Sequence, residues 1–184
     1  MTDTKPAVYC GTYNKYNNGS IAGAWMSLED YSTPEELFEA CRDLHKDEDD
    51  PEFMFQDFEG YPEGLYSESM SLVDATRLFA WVKLDEADRE LLEEYADAVG
   101  SRDDYTEDVE AVRDLLECRL DDIRRQYDNI FISDDKAYGY YYHDSGYIDI
   151  PAHLESFIDW EGLGRDYLQD KSVSSNGWVF RNQQ

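Results

Sequence analysis

Apolar side chains come in short runs between residues 7 and 58, recur every third or fourth position between 72 and 127, and return to short runs after 130. The first pattern predicts strands and the second amphipathic helices. Ala7–Tyr13 and Ile21–Leu28 are aromatic-rich candidate strands, and the turn between them holds Asn18-Gly19, a pair suited to positive φ. Thr33-Pro34-Glu35-Glu36 opens a helix: Thr33 as N-cap, Pro34 at the first helical position, Glu36 closing a capping box. Leu37, Phe38, Cys41 and Leu44 give it an apolar face, and Glu52–Phe58 predicts a third strand.

The middle of the chain predicts three helices. Ser71–Lys83 carries Leu72, Val73, Leu78, Phe79 and Val82; Asp85–Val99 carries Leu91, Leu92 and Tyr95, with Gly100 as stop signal; Thr106–Tyr127 carries Val109, Val112, Leu116, Leu120 and Ile123. Three short amphipathic helices suggest a small bundle. In the last section, Ile130–Ser133 and the tyrosine-rich Ala137–His143 read as β-like, Pro151–Trp160 and Leu163–Gln169 as short helices, and Gly177–Phe180 as a final strand. The expected class is α+β: an N-terminal α+β domain over 1–64, an acidic helical domain over 65–128 and a C-terminal α+β domain over 129–184.

Charge changes the picture more than fold class does. There are 43 acidic residues against 16 lysines and arginines, a formal net charge of −27. Residues 29–122 hold 32 acidic and 8 basic residues, so this stretch carries nearly all the excess. A disordered acidic tail is excluded by an aromatic content of 15%, since disordered chains are poor in aromatics. Nucleic acid and anionic membrane are excluded as direct partners, because both need a basic face. A basic protein surface, or cations, would be attracted.

The acidic residues also fall in register. Glu36, Glu39, Asp43 and Asp47 are spaced three, four, four; Glu86, Glu90, Glu93 and Asp97, and likewise Glu110, Asp114, Glu117 and Asp121, are spaced four, three, four. On a helix such neighbours lie about 5–6 Å apart at Cβ, where like charges oppose helix formation by roughly 0.2–0.5 kcal/mol per pair. Duplex DNA carries about one charge per 1.7 Å of axis, and a helix rising about 1.5 Å per residue can match that density. The stripes therefore predict a surface that a basic DNA groove would accept in place of DNA. Two other readings share the same stripes: a mimic aimed at a nucleoid protein, repressor or CRISPR effector, and a halophilic or cation-binding surface.

Other chemistry finds little footing. His45, His143 and His153 sit in no HExxH, and no P-loop, GxSxG or GxGxxG is present. Cys10, Cys41 and Cys118 form neither a CxxC pair nor an even disulfide set, and Cys41 and Cys118 read as core residues. No metal, cofactor or catalytic site is expected. The N-terminus lacks the basic and apolar regions of a signal peptide, and no apolar run is long enough to span a membrane, so the expected location is cytoplasmic.

Three segments resemble a known family. YCGTYNKYNNGSIAGAWMSL (9–28), EFMFQDFEGYP (52–62) and IPAHLESFIDWEGLGRDY (150–167) are similar, in that order, to segments of the ArdA antirestriction proteins. LLEEYADAVG (91–100) is similar to the family's antirestriction motif. In the motif, Leu91, Leu92 and Tyr95 read as core and Glu93, Glu94 and Asp97 as surface charge. The resemblance implies an elongated, non-catalytic DNA mimic of three domains in line, without cofactor. It implies inhibition of type I restriction–modification enzymes by occupation of the groove that holds DNA in their methyltransferase core. It further implies carriage on a plasmid or other mobile element, and pairing of C-terminal domains into a homodimer. Tyr138, Tyr140, Tyr141 and Tyr142 are the candidate contacts, since aromatics are enriched at interfaces. A dimer would carry twice 27, or 54, excess negative charges, which corresponds to roughly 90 Å of duplex.

Overall fold

The computed structural model describes residues 4–100 and 108–182. The chain is α+β, with eight α-helices and two three-stranded antiparallel sheets among the described residues. It divides into two compact units, Met1–Arg89 and Glu90–Gln184.

The first unit is built on a sheet of order β2-β1-β3, with β1 Ala7–Thr12, β2 Ala24–Ser27 and β3 Phe53–Glu59. The short helix α1 (Tyr13–Asn17) follows β1 directly because the Thr12 hydroxyl caps it, accepting from the Lys15 N–H. Gly19, at φ +80°, then turns the chain back. Helix α2 (Pro34–Leu44) begins as its sequence predicts, with Thr33 accepting from the Glu36 N–H. The Glu36 carboxylate reaches one residue further than a capping box requires and takes the Ser32 N–H at 2.6 Å. Leu37 and Cys41 of α2 are buried, and Phe38 packs on Phe53 and Phe55 of β3. Helix α3 (Leu72–Val82) carries a complete capping box in which Ser71 and Asp74 satisfy each other's backbone N–H groups.

The second unit departs from the expected all-helical middle. Helix α4 (Glu86–Val99) runs across the division between the units, and Gly100 at φ +69° ends it. The expected single helix over Thr106–Tyr127 is instead α5 (Val109–Leu115), strand β4 (Leu116–Arg119) and α6 (Leu120–Gln126), with Thr106 and Glu107 outside the described residues. Strand β4 pairs with β6 (Trp178–Arg181), which also takes β5 (Lys171–Val173) on its other side. Sheet hydrogen bonds from a segment some sixty residues away override a helical spacing of apolar residues. Val112 and Leu120 are fully buried on either side of the strand, so the period of three and four served two separate helices.

A second correction concerns the tyrosine run. Ala137–His143 is not a strand but lies within α7 (Asp134–Asp144), and Ile130–Ser133 is a turn leading into it. Ser133 caps α7 by accepting from the Lys136 N–H, and Asp134 and Asp135 lie in its first turn, where carboxylates favour the helix dipole. Those signals outweigh the strand propensity of tyrosine. Helix α8 (Trp160–Leu168) packs against α7 backbone to backbone: a Cβ on Gly164 would sit 1.7 Å from the Asp135 carbonyl oxygen, and one on Gly139 2.2 Å from that of Trp160. Asp159 caps α8; of the helix expected over Pro151–Trp160 only a single 3-10 turn, Glu155–Phe157, forms ahead of it. The unit's core gathers Leu120, Ile132, Ala137, Tyr138 and Val179.

Candidate partner-binding surface

Net charge divides almost evenly between the units. Met1–Arg89 holds 20 acidic and 7 basic residues, a net of −13, and Glu90–Gln184 holds 23 and 9, a net of −14. Each unit is by itself a strongly acidic body, although in sequence the excess clusters between 29 and 122.

On α2 the predicted stripe forms for three of its four members. Glu36, Glu39 and Asp43 are exposed along the helix, opposite Leu37 and Cys41. Asp47 lies past the helix end at His45 and is held by Lys15, Nζ to Oδ1 2.9 Å. Lys15 keeps the Asp47 carboxyl below its ordinary range. Glu48 is also lowered, first by the Thr12 hydroxyl, which donates to it at 2.7 Å. His45 is buried beneath this turn. The Cys10 carbonyl, 3.2 Å from Nε2, can only accept, and the Lys15 ammonium, 2.9 Å from Nδ1, can only donate. With these partners Nε2 is placed to donate and Nδ1 to accept. Lys15 and His45, which carried no signal in sequence, lock the acidic turn to β1.

On α4 the stripe is graded. Glu86 and Asp97 are exposed, Glu90 and Glu93 half-buried. Leu91, Leu92 and Tyr95 are core residues, with Tyr95 edge-on to Phe180 at 5.3 Å. Glu94, expected at the surface, is buried: one oxygen accepts from Asn176 Nδ2 at 2.6 Å, and the other has no hydrogen-bond partner among the described residues. Asp97 accepts the Ser175 N–H at 2.5 Å. In the LLEEYADAVG segment, then, two acidic residues tie α4 to the turn before β6.

The third stripe does not exist as one face, because β4 interrupts it. Glu110 and Asp114 are exposed on α5, Glu110 pairing with Arg113 at 2.5 Å, and Asp121 is exposed on α6, pairing with Arg124 at 2.7 Å. Glu117 is on β4 with its side chain only 5% exposed. It accepts from Lys171 Nζ at 2.6 Å and from the Tyr138 hydroxyl at 2.7 Å. It is a buried structural ion pair, not a surface charge.

Of the candidate contact tyrosines, Tyr140, Tyr141 and Tyr142 are half-buried. Tyr138 is fully buried. Tyr140 stacks on Tyr127 at 4.3 Å, Tyr142 on Tyr167 at 4.0 Å, and the Tyr141 hydroxyl donates to the Glu117 carbonyl. The most exposed large apolar side chains of this unit, among the described residues, are Phe131, Phe157 and Ile130, with Phe131 91% and Phe157 81% exposed.

Among the described residues no group of three or more His, Cys, Asp or Glu side chains could hold a metal ion, and no helix is long and apolar enough to cross a membrane. The three cysteines are free, and Cys10 and Cys41 are buried in the first unit's core. Cys118, expected on a helix, lies half-buried on β4 against the second core, and burial pushes its thiol up to about 12. A family model described as "Antirestriction protein (ArdA)" matches residues 8–180 of the chain. No curated protein matches it.

Proposed function

The chain belongs to the ArdA family of antirestriction proteins, and we propose that it inhibits type I restriction–modification enzymes by occupying their DNA-binding groove as a mimic of duplex DNA. Antirestriction implies a restriction–modification enzyme as target. The observation that carries the finer reading is the charge of the two units, −13 and −14, each carried by a folded body with ordered surface carboxylates such as Glu36, Glu39 and Asp43. Fixed charges lose little freedom on binding, which favours a rigid acidic fold over a flexible polyacid. Displaced counterions then make the association salt-dependent, as DNA binding is. The mode is non-catalytic and needs no cofactor.

The same reading includes a cytoplasmic homodimer paired through the second unit. Ile130, Phe131 and Phe157 support it, as exposed apolar side chains on an otherwise acidic surface. Sedimentation tests this part: the reading expects a dimer in wild type and a shift toward monomer in Phe131→Asp.

Competition tests the whole. A purified type I enzyme bound to fluorescent duplex is titrated with the chain at two salt concentrations. Displacement near stoichiometry, independent of duplex sequence and weaker at high salt, is expected. No displacement at large excess would overturn the proposal, and comparison with other DNA-binding proteins on the same duplex would show whether the mimic is aimed elsewhere.

A further inference from the structure

Trp25, Tyr9 and Asp57 stand side by side across the first sheet, Tyr9 being in register with Trp25 on β2 and with Asp57 on β3. Two residues along β1, and therefore on the same face, the next rank is Ser27, Ala7 and Glu59. Trp25 and Tyr9 meet edge to face, with ring centroids 5.6 Å apart. Asp57 and Glu59 are exposed, and neither pairs with a lysine or arginine among the described residues. Asp57 accepts the N–H of its neighbour Phe58, at 2.8 Å.

The other tryptophans show what this surface is suited to hold. Trp178 lies under the Arg119 guanidinium at 3.6 Å, and Trp81 under that of Arg89 at 4.6 Å. Trp160 packs against Tyr140 and His143. Trp25 is 46% exposed, the most open of the four, and no lysine or arginine lies over its ring among the described residues. Carboxylates beside an open indole complement a guanidinium on two counts. The planar, weakly hydrated cation stacks on the ring, and its N–H groups fork onto a carboxylate. An ammonium, compact and strongly hydrated, gains less from the ring.

We propose that this sheet face is an arginine-recognition surface, receiving a guanidinium of a basic protein partner over Trp25 with its N–H groups on Asp57 or Glu59. The inference rests on the reading of the acidic surface as partner-binding and sharpens it. A carboxylate array draws lysine and arginine alike, whereas Trp25 selects arginine and adds a contact that phosphate mimicry alone does not supply.

The test uses the full chain and two dye-labelled peptides, deca-arginine and deca-lysine, titrated at one ionic strength and followed by fluorescence polarisation. Trp25→Leu is expected to weaken deca-arginine roughly fivefold or more while leaving deca-lysine unchanged. Asp57→Asn with Glu59→Gln should weaken both peptides. In the isotope-labelled wild type, the indole N–H signal missing from Trp25→Phe should be the one that moves most on adding deca-arginine. Equal effects of Trp25→Leu on the two peptides, no effect on either, or a Trp25 signal that stays still while other indoles move would each overturn the proposal. The peptides replace the restriction enzyme, so the outcome is separate from duplex displacement. A chain that prefers arginine at Trp25 yet fails to displace duplex refutes the restriction-enzyme reading alone.

Discussion

Glu117→Ala separates a stability residue from a charge on display. The native side chain is 5% exposed and answers two buried or nearly buried donors: the Lys171 ammonium at 2.6 Å, itself 19% exposed, and the hydroxyl of the fully buried Tyr138 at 2.7 Å. Truncation strands both. An unsatisfied buried hydroxyl costs about 1–3 kcal/mol, and breaking a buried ion pair from one side brings the total to about 3–5 kcal/mol. For a unit of this size the melting temperature should fall by roughly 12 °C or more. Thermal and urea unfolding followed by near-ultraviolet circular dichroism would measure it. The triple change Glu117→Leu, Lys171→Met and Tyr138→Phe removes donors and acceptor together and should recover most of the loss, since buried ion pairs exchange for apolar groups at little cost. Below its melting transition, Glu117→Ala should inhibit as wild type does. A variant within 1 kcal/mol of wild-type stability that nevertheless loses inhibition would refute the reasoning, because the carboxylate would then have to act on the partner.

Further outcomes follow from other elements. Gly164→Ala should destabilise the second unit by about 3 kcal/mol or prevent its folding, because the added carbon meets the Asp135 carbonyl at 1.7 Å; urea midpoints would show it. Ser71→Ala should cost about 1 kcal/mol in the first unit by opening the reciprocal cap with Asp74, whose carboxyl Ser71 holds below its ordinary range. At alkaline pH the second unit should weaken. Burial, then the bond to Glu117, pushes the Tyr138 phenol up, and burial pushes Tyr141 up to about 12. The folded state keeps protons that the unfolded chain releases near the ordinary tyrosine value of about 10, so this stabilisation is complete below that pH and is lost above it. Urea titrations between about pH 9 and 11 should show the fall in wild type and a shallower one in Tyr138→Phe.

What could be read in the sequence follows the range of the forces involved. The caps of α2, the stop at Gly100, the strands of the first sheet and the core face of Leu91, Leu92 and Tyr95 are local matters, settled by residues a few positions apart. The tyrosine helix was also local, but its signal lay in Ser133-Asp134-Asp135 ahead of the run and not in the run itself. Strand β4 was not legible, because what makes Leu116–Arg119 a strand is the edge offered by Trp178–Arg181. The same distinction governs the carboxylates. Spacing placed Glu36, Glu39 and Asp43 on one face, but only the fold shows that Glu117 faces Lys171 and that Glu94 faces Asn176. Trp25 and Asp57 lie on separate strands, and their adjacency exists only through the register of β1 with both.

The pairing of β4 with β6 also sets a timetable. All three strands of the first sheet have been synthesised by Glu59, so that sheet can close while the rest of the chain is still being made. Strand β4 must wait for Trp178–Arg181, holding Leu116 and Cys118 without a sheet across some sixty residues of synthesis. Closing so long a loop is slow. About half of the net negative charge therefore enters a finished surface only once Trp178–Arg181 has been made, and newly made chains should pass through a stage with one acidic body folded and the other not yet assembled.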